Sequence, residues 1–306
     1  MTQAALGEKT SSADAVTAQK PGFNRNYLPF AYPALAITAA VIVFPWLFTI
    51  YMSFYDWKIG QAREFVGFAN FTKLATDARF IESIGHTLYF TALAVILPVI
   101  FGTIAALLFN ERFPLRGLFR AIFILPMMAT PVAVALVWTM MFHPQLGVLN
   151  YLLSLVGIPP QLWVYSPATV IPSLVAVEVW HWTPLVMLIV LGGLASVPVE
   201  PYESAKIDGA SAWQMFRHIT LPLIMPFILV AIVIRMIDAL KAFDTIFVIT
   251  SGGPGTASET INIYLYLQAF SFYNIGYASA VTIVFFILII VLTLVLLYLR
   301  QKAKWT

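Results

Sequence analysis

"EPYESAKIDGASAWQMFRHITLPLIMP", residues 200–226, interrupts a strongly apolar chain. Within nineteen residues it places Glu200, Glu203, Lys206, Asp208, Arg217 and His218. Apolar segments long enough to cross a bilayer lie on either side. A charged island of this kind divides the chain into spans and connections. Its small residues also demand an explanation that a solvated loop does not supply.

Composition sets the class. Of 306 residues, 60% are hydrophobic and 10% charged, and the mean hydropathy is +0.87. A soluble domain carries about a quarter charged residues. The expectation is an all-α integral membrane protein of about six transmembrane helices with short loops. The absence of cysteine excludes disulfides, thiolate metal sites and cysteine nucleophiles. The four histidines, His86, His143, His181 and His218, are scattered, so no metal site is expected.

Charges mark the span boundaries. No charged residue lies between Arg25 and Asp56, between Glu82 and Glu111, or between Glu259 and Arg300. These gaps hold spans at 28–52, 84–109 and 276–299. The uncharged run from Arg120 to Glu178 is too long for one crossing. The turn-rich "HPQLGVLNYLLSLVGIPPQLWVYSP" divides it into spans at 119–142 and 168–194. A fifth span runs over 222–249. Residues 1–26 lack the apolar core of a cleavable signal peptide and read as a disordered tail. Residues 27–300 form the six-span domain, with a loop at about 197–221, and 301–306 form a second tail.

Orientation follows from Lys and Arg. With the amino-terminal tail inside, eleven of the seventeen basic residues lie on the inner side and four in the outer loop 53–82. Both termini and the island are therefore expected in the cytoplasm. Prolines within or at the ends of most spans, among them Pro126, Pro131, Pro184 and Pro226, provide for bent helices.

The island itself reads as a helix–turn–helix outside the membrane. Ser204, Ala205, Gly209, Ala210, Ser211 and Ala212 are small and let a partner backbone approach closely. Gly209 suits a left-handed helix end and Ser211 caps a second short helix. Pro198 and Pro201 tie it to the fourth span, and Pro222 marks entry to the fifth.

The spacing Glu203-Ser204-Ala205, Gly209, Ile219, Leu221-Pro222 resembles the EAA loop of membrane subunits of bacterial ATP-binding-cassette importers. The pattern is E-A-A, three residues, G, nine residues, I, one residue, L-P, with Ser204 replacing the first alanine. "FRAIFILPMMATPVAVALVWTMMFHPQLGVLN" and "FDTIFVITSGGPGTASETINIYLYLQAF" are similar to sugar permeases of the glycerol-phosphate and lactose type. The family's usual Asn-Thr at the start of the second span is His86-Thr87 here. The resemblance implies the type I importer permease fold in a bacterial cytoplasmic membrane. It implies a sugar, polyol or related glycoside as cargo. It assigns ATPase coupling to Glu203, Ser204, Ala205, Asp208, Gly209 and Ala210. It also implies a second homologous permease subunit, two ATPase subunits that carry ATP and Mg, and an extracytoplasmic substrate-binding protein. Membrane lipid is an expected partner and nucleic acid is not. No cofactor or catalytic residue is expected in this chain, which has no Walker motif.

Charges inside the spans form the second candidate site. Glu178 lies midway along the fourth span, and Arg235, Asp238, Lys241 and Asp244 follow at three-residue steps on the fifth. A charge at the bilayer centre costs about 2.5–3.5 kcal/mol on insertion scales. Two readings follow. Arg235–Asp238 and Lys241–Asp244 or Lys241–Asp238 pairs fix packing, or the charges line a wet pathway. Glu178, Trp180, His181, Trp182, Asp238, Lys241, Asp244 and Tyr264 are the candidate pathway residues. Carboxylates bind sugar hydroxyls, and indole or phenol rings cover the apolar faces. An ion-coupled carrier using Asp238, Lys241 and Asp244, or a membrane transferase using Glu178 and His181, leaves the EAA spacing unexplained. "SGGPGTASE", 251–259, lacks the Lys-Ser/Thr ending of a phosphate loop and reads as a tight turn before a short helix.

Overall fold

The computed structural model describes residues 28–303. The amino-terminal tail expected over 1–26 and the last three residues lie outside them. The chain divides after Phe48 into two compact units. The first contributes most of α1 (Leu28–Met52), an apolar helix carrying Pro33 and Pro45.

In the second unit the long apolar helices are α3 (Ala78–Asn110), α7 (Val170–Leu194), α10 (Leu221–Leu240) and α13 (Ile275–Ala303). Between α3 and α7 come α4 (Arg116–Met128), α5 (Pro131–Met141) and α6 (Val148–Leu155). Five helices of the described residues are long and apolar enough to cross a membrane, or six if the bent pair α4–α5 is one span. The expected count of about six therefore holds. α2 (Ala69–Thr76) and a short hairpin, β1 (Tyr55–Asp56) against β2 (Glu64–Phe65), lie between α1 and α3.

Two spans differ from the simple expectation. The third is not one helix over 119–142. α4 and α5 meet at a bend of 97°. Pro131 opens α5 and cannot donate to the preceding turn, and Ala129 and Thr130 adopt extended backbone. The fifth is not one helix over 222–249. It ends at Leu240, and α11 (Asp244–Thr250) starts anew after a three-residue break. At the other end it is continuous with the island: Ala212–Leu240 is one helical run. Pro222, expected to mark a boundary, is absorbed by a π turn over Phe216–Thr220, in which the Leu221 amide reaches back to Phe216 O.

Close helix approach at α7 needs glycine at two positions. A Cβ on Gly102 of α3 would lie 2.6 Å from Val186 Cβ, and one on Gly193 of α7 would lie 2.6 Å from the Phe227 ring. α7 is the central helix, with Val177, Val186, Met187 and Val190 fully buried.

At the start of α3, Asp77 ties three elements together. Its Oδ1 accepts from the Arg79 and Phe80 amides at 3.0 and 3.2 Å and so caps α3. Its Oδ2 accepts from the hydroxyls of Tyr264, in α12 (Ile261–Tyr266), and Tyr277, in α13, at 2.7 and 2.8 Å. Burial opposes ionisation of this carboxyl, but the two phenols and two amides together hold it below the usual carboxylate range. A lowered folded pKa contributes stability above the unfolded value, about 3.9. That stability is lost as pH falls through the lower folded value. In detergent, thermal unfolding from pH 7 down to pH 3 is expected to show this acid loss. Asp77→Ala is expected to cost about 2 kcal/mol at neutral pH and to shrink the acid dependence; an unchanged pH profile would remove Asp77 from the account.

Candidate functional site

The charged cavity is built on α7. Glu178, two turns from its start, is 4% exposed, and Arg235 on α10 is fully buried. Arg235 Nη2 donates to Glu178 Oε2 at 2.9 Å and to the Ala94 carbonyl of α3 at 3.3 Å. The guanidinium lies over the Trp182 ring at 4.9 Å, and Nη1 is 3.7 Å from Asp238 Oδ2. One arginine thus ties α3, α7 and α10 at membrane depth. Burial would forbid either charge alone. The packing-pair expectation holds in part: Arg235 pairs with Asp238 at 3.7 Å as expected, but more closely with Glu178 at 2.9 Å, and Lys241 forms neither of its expected pairs among the described residues.

Beside this pair is a cavity of about 280 Å³ lined by Glu178, Trp182, Arg235, Asp238, Lys241 and Asp244, with Pro131, Ala242, Phe243 and Thr245. Both broken spans meet here. Pro131 comes from the α4–α5 break, and Lys241 to Thr245 from the α10–α11 break. Breaks of this kind are tolerated at membrane depth where the backbone lines a cavity.

The other candidate pathway residues lie elsewhere. Trp180 is 47% exposed, packs edge-on to Trp138 at 5.8 Å and lines an apolar groove between α3, α4 and α7. His181 is buried, with Nε2 3.2 Å from the Ala129 carbonyl. Tyr264 is fully buried on Asp77 and Tyr277, outside the cavity lining. Residues at i, i+3 and i+4 of one apolar helix have distinct surroundings that spacing does not resolve.

A second ion pair had no signal in the sequence. Arg79 Nε and Nη2 donate to Glu259 Oε1 and Oε2 at 2.9 and 2.7 Å, with Glu259 2% exposed. His86 Nδ1 is 3.3 Å from Glu259 O, and Thr87 Oγ1 accepts from the Ile261 amide at 2.9 Å. The His86-Thr87 departure therefore holds the end of the glycine-rich turn, which leads into α12 as expected. The partners are 180 residues apart, beyond any local pattern.

The island folds as two capped turns. α8 (Glu200–Ile207) ends with Gly209 at φ +76. The Ala210 amide donates to Ala205 O at 2.9 Å and the Gly209 amide to Lys206 O at 3.1 Å, the double bond of a glycine-terminated helix. α9 (Ala212–Met215) opens with a reciprocal cap: Ser211 Oγ accepts from the Gln214 amide, and Gln214 Oε1 accepts from the Ser211 amide at 2.7 Å. Tyr202 donates to Thr220 Oγ1 at 2.9 Å and clamps α8 to the base of α10. Glu203, Ser204, Asp208 and Gly209 are exposed, Ala205 and Ala210 half-buried. Ile207 at 87% and Trp213 at 65% exposure give the island an apolar surface.

Apolar helices broken around a charged cavity, with a capped helix–turn–helix between two of them, are the architecture of a membrane transport permease. The chain belongs to the family of binding-protein-dependent transport system inner membrane components, whose profile matches residues 98–305. It is 37% identical over 245 residues to the trehalose/maltose transport system permease protein MalF of Thermococcus litoralis, covering 80% of this chain and 82% of that one. It is 34% identical over 254 residues to the sulfoquinovosyl glycerol transport system permease protein SmoG of Agrobacterium fabrum, covering 82% of each. Among solved structures, a bacterial ABC transporter involved in the import of the acidic polysaccharide alginate superposes with a TM-score of 0.78 at 26% identity, over 91% of this chain and 96% of that one. The expected permease fold is confirmed, and neither the ion-coupled carrier nor the transferase reading accounts for the family match. Among the described residues no group of three or more His, Asp or Glu is placed to hold a metal ion.

Removing one partner of the buried pair leaves an uncompensated charge. Glu178→Ala and Arg235→Ala are each expected to cost about 3–5 kcal/mol. The double replacement Glu178→Leu with Arg235→Met is expected to cost less than either. Melting midpoints in detergent check this as a double-mutant cycle.

Proposed function

We propose that this chain is the permease subunit of an ABC importer that moves a sugar, polyol or related glycoside into a bacterial cell. It works in the cytoplasmic membrane with both termini and the island on the cytoplasmic side. The observation that carries the reading is the island: two capped helices, rigidly joined to α10, that present Glu203, Ser204, Asp208, Gly209 and Ile207 to a partner. A solvated loop has no need of such caps.

Its partners are two ATPase subunits, a second homologous permease subunit, an extracytoplasmic substrate-binding protein and lipid. ATP and Mg act on the ATPase subunits. Closure of those subunits pushes the island, and α10 transmits the motion because Ala212–Leu240 is one helical run. The far end of that run carries Arg235 and Asp238 at the cavity. Cargo delivered from outside then meets Glu178, Trp182, Asp238, Lys241 and Asp244. Carboxylates and the ammonium suit hydroxyl groups, and the Trp182 indole suits the C–H face of a sugar ring. The carbohydrate assignment draws support from the relatives named for maltose, trehalose and sulfoquinovosyl glycerol.

Gly209→Arg tests the joint. A side chain at φ +76 is strained, and the added bulk would stand in the docking face. A complex purified in mild detergent from the wild type is expected to contain a P-loop ATPase and a second permease chain. The Gly209→Arg complex is expected to lose the ATPase while the permease pair survives. ATPase retained with Gly209→Arg, or absent from the wild type, contradicts the coupling assignment.

A further inference from the structure

The bend in the third span is held from outside its own backbone. The α5 ladder begins with the Val134 amide donating to Thr130 O at 3.0 Å. Pro131 has no N–H to offer the preceding carbonyls. The Ala129 carbonyl, one residue ahead of the α5 ladder, is met by His181 Nε2 of α7 at 3.2 Å. A carbonyl only accepts, so this contact requires the imidazole to carry its proton on Nε2. His181 Nδ1 is buried and meets no hydrogen-bond partner among the described residues. The ring is braced by Trp182, with centroids 4.6 Å apart, and Trp182 in turn lies under the Arg235 guanidinium. A continuous set of contacts therefore runs from the Glu178–Arg235 pair through Trp182 and His181 to the break, two residues before the cavity wall at Pro131.

We propose that His181 is a positioning residue for transport. Its donated hydrogen bond fixes the angle between α4 and α5, and with it the Pro131 wall of the charged cavity. His181 itself touches no cargo. The inference rests on the importer reading for its consequence, but its geometry can be tested without cargo.

The absence of native cysteine allows two to be placed cleanly. Leu118→Cys on α4 and Met140→Cys on α5 are exposed sites, 55% and 75%, for a spin-label pair. The full chain in lipid nanodiscs is measured with His181, with His181→Ala, and with His181→Gln, whose amide N–H replaces the donor. His181→Ala is expected to displace and broaden the label distance, and His181→Gln to restore it. In the co-purified complex, stimulation of ATPase activity by the binding protein is expected to fall with His181→Ala and recover with His181→Gln. An unchanged distance with His181→Ala overturns the proposal, as does a loss that His181→Gln fails to repair. Absence of an ATPase partner from the wild type sinks the importer reading separately, because the label distance reads the α4–α5 bend without it.

Discussion

Hydrocarbon supplies no hydrogen bonds, so backbone polar groups and charges that enter it are costly unless the protein itself partners them. Arg235 carries this constraint for the centre of the molecule. Its guanidinium meets a carboxylate, a backbone carbonyl and an indole face contributed by α3 and α7. Those contacts set how the three helices register against one another. The same constraint explains the two span breaks, which open onto a polar cavity. Where the extended backbone at the α4–α5 break leaves the Ala129 carbonyl outside both helical ladders, a histidine from the neighbouring helix meets it.

The ends of the spans are secured differently. Asp77 and the Arg79–Glu259 pair bind the start of α3 to the turn before α12 and to α13, using charge-assisted bonds near the rim. At the island, backbone caps carry the rigidity: a left-handed glycine closes α8 and a serine–glutamine box opens α9. The helical run Ala212–Leu240 carries the exposed Trp213 at one end and the buried Arg235 near the other.

Much of this was legible from local pattern. Span count follows from uncharged gaps, because a charge in hydrocarbon is excluded unless paired. Gly209 and Ser211 announced their turns, because capping depends on residues only a few positions apart. Long-range pairings had no such signal. Arg235 added Glu178, 57 residues away, to its neighbour Asp238, and Tyr264 turned to Asp77 rather than the cavity. The continuity of α9 with α10 was hidden for another reason: a π turn absorbs Pro222, which local rules read as a boundary.

The sequence by itself determined that the chain spans a membrane about six times and carries a small-residue helix–turn–helix between its fourth and fifth spans. Those features rest on composition, charge gaps and caps, which act over a few residues. Only the tertiary structure decided which intramembrane charges pair, where two spans break, and which of Glu178, Trp180, His181 and Trp182 face the cavity. These depend on what each side chain meets on another helix, and helix packing brings together residues that no sequence spacing connects.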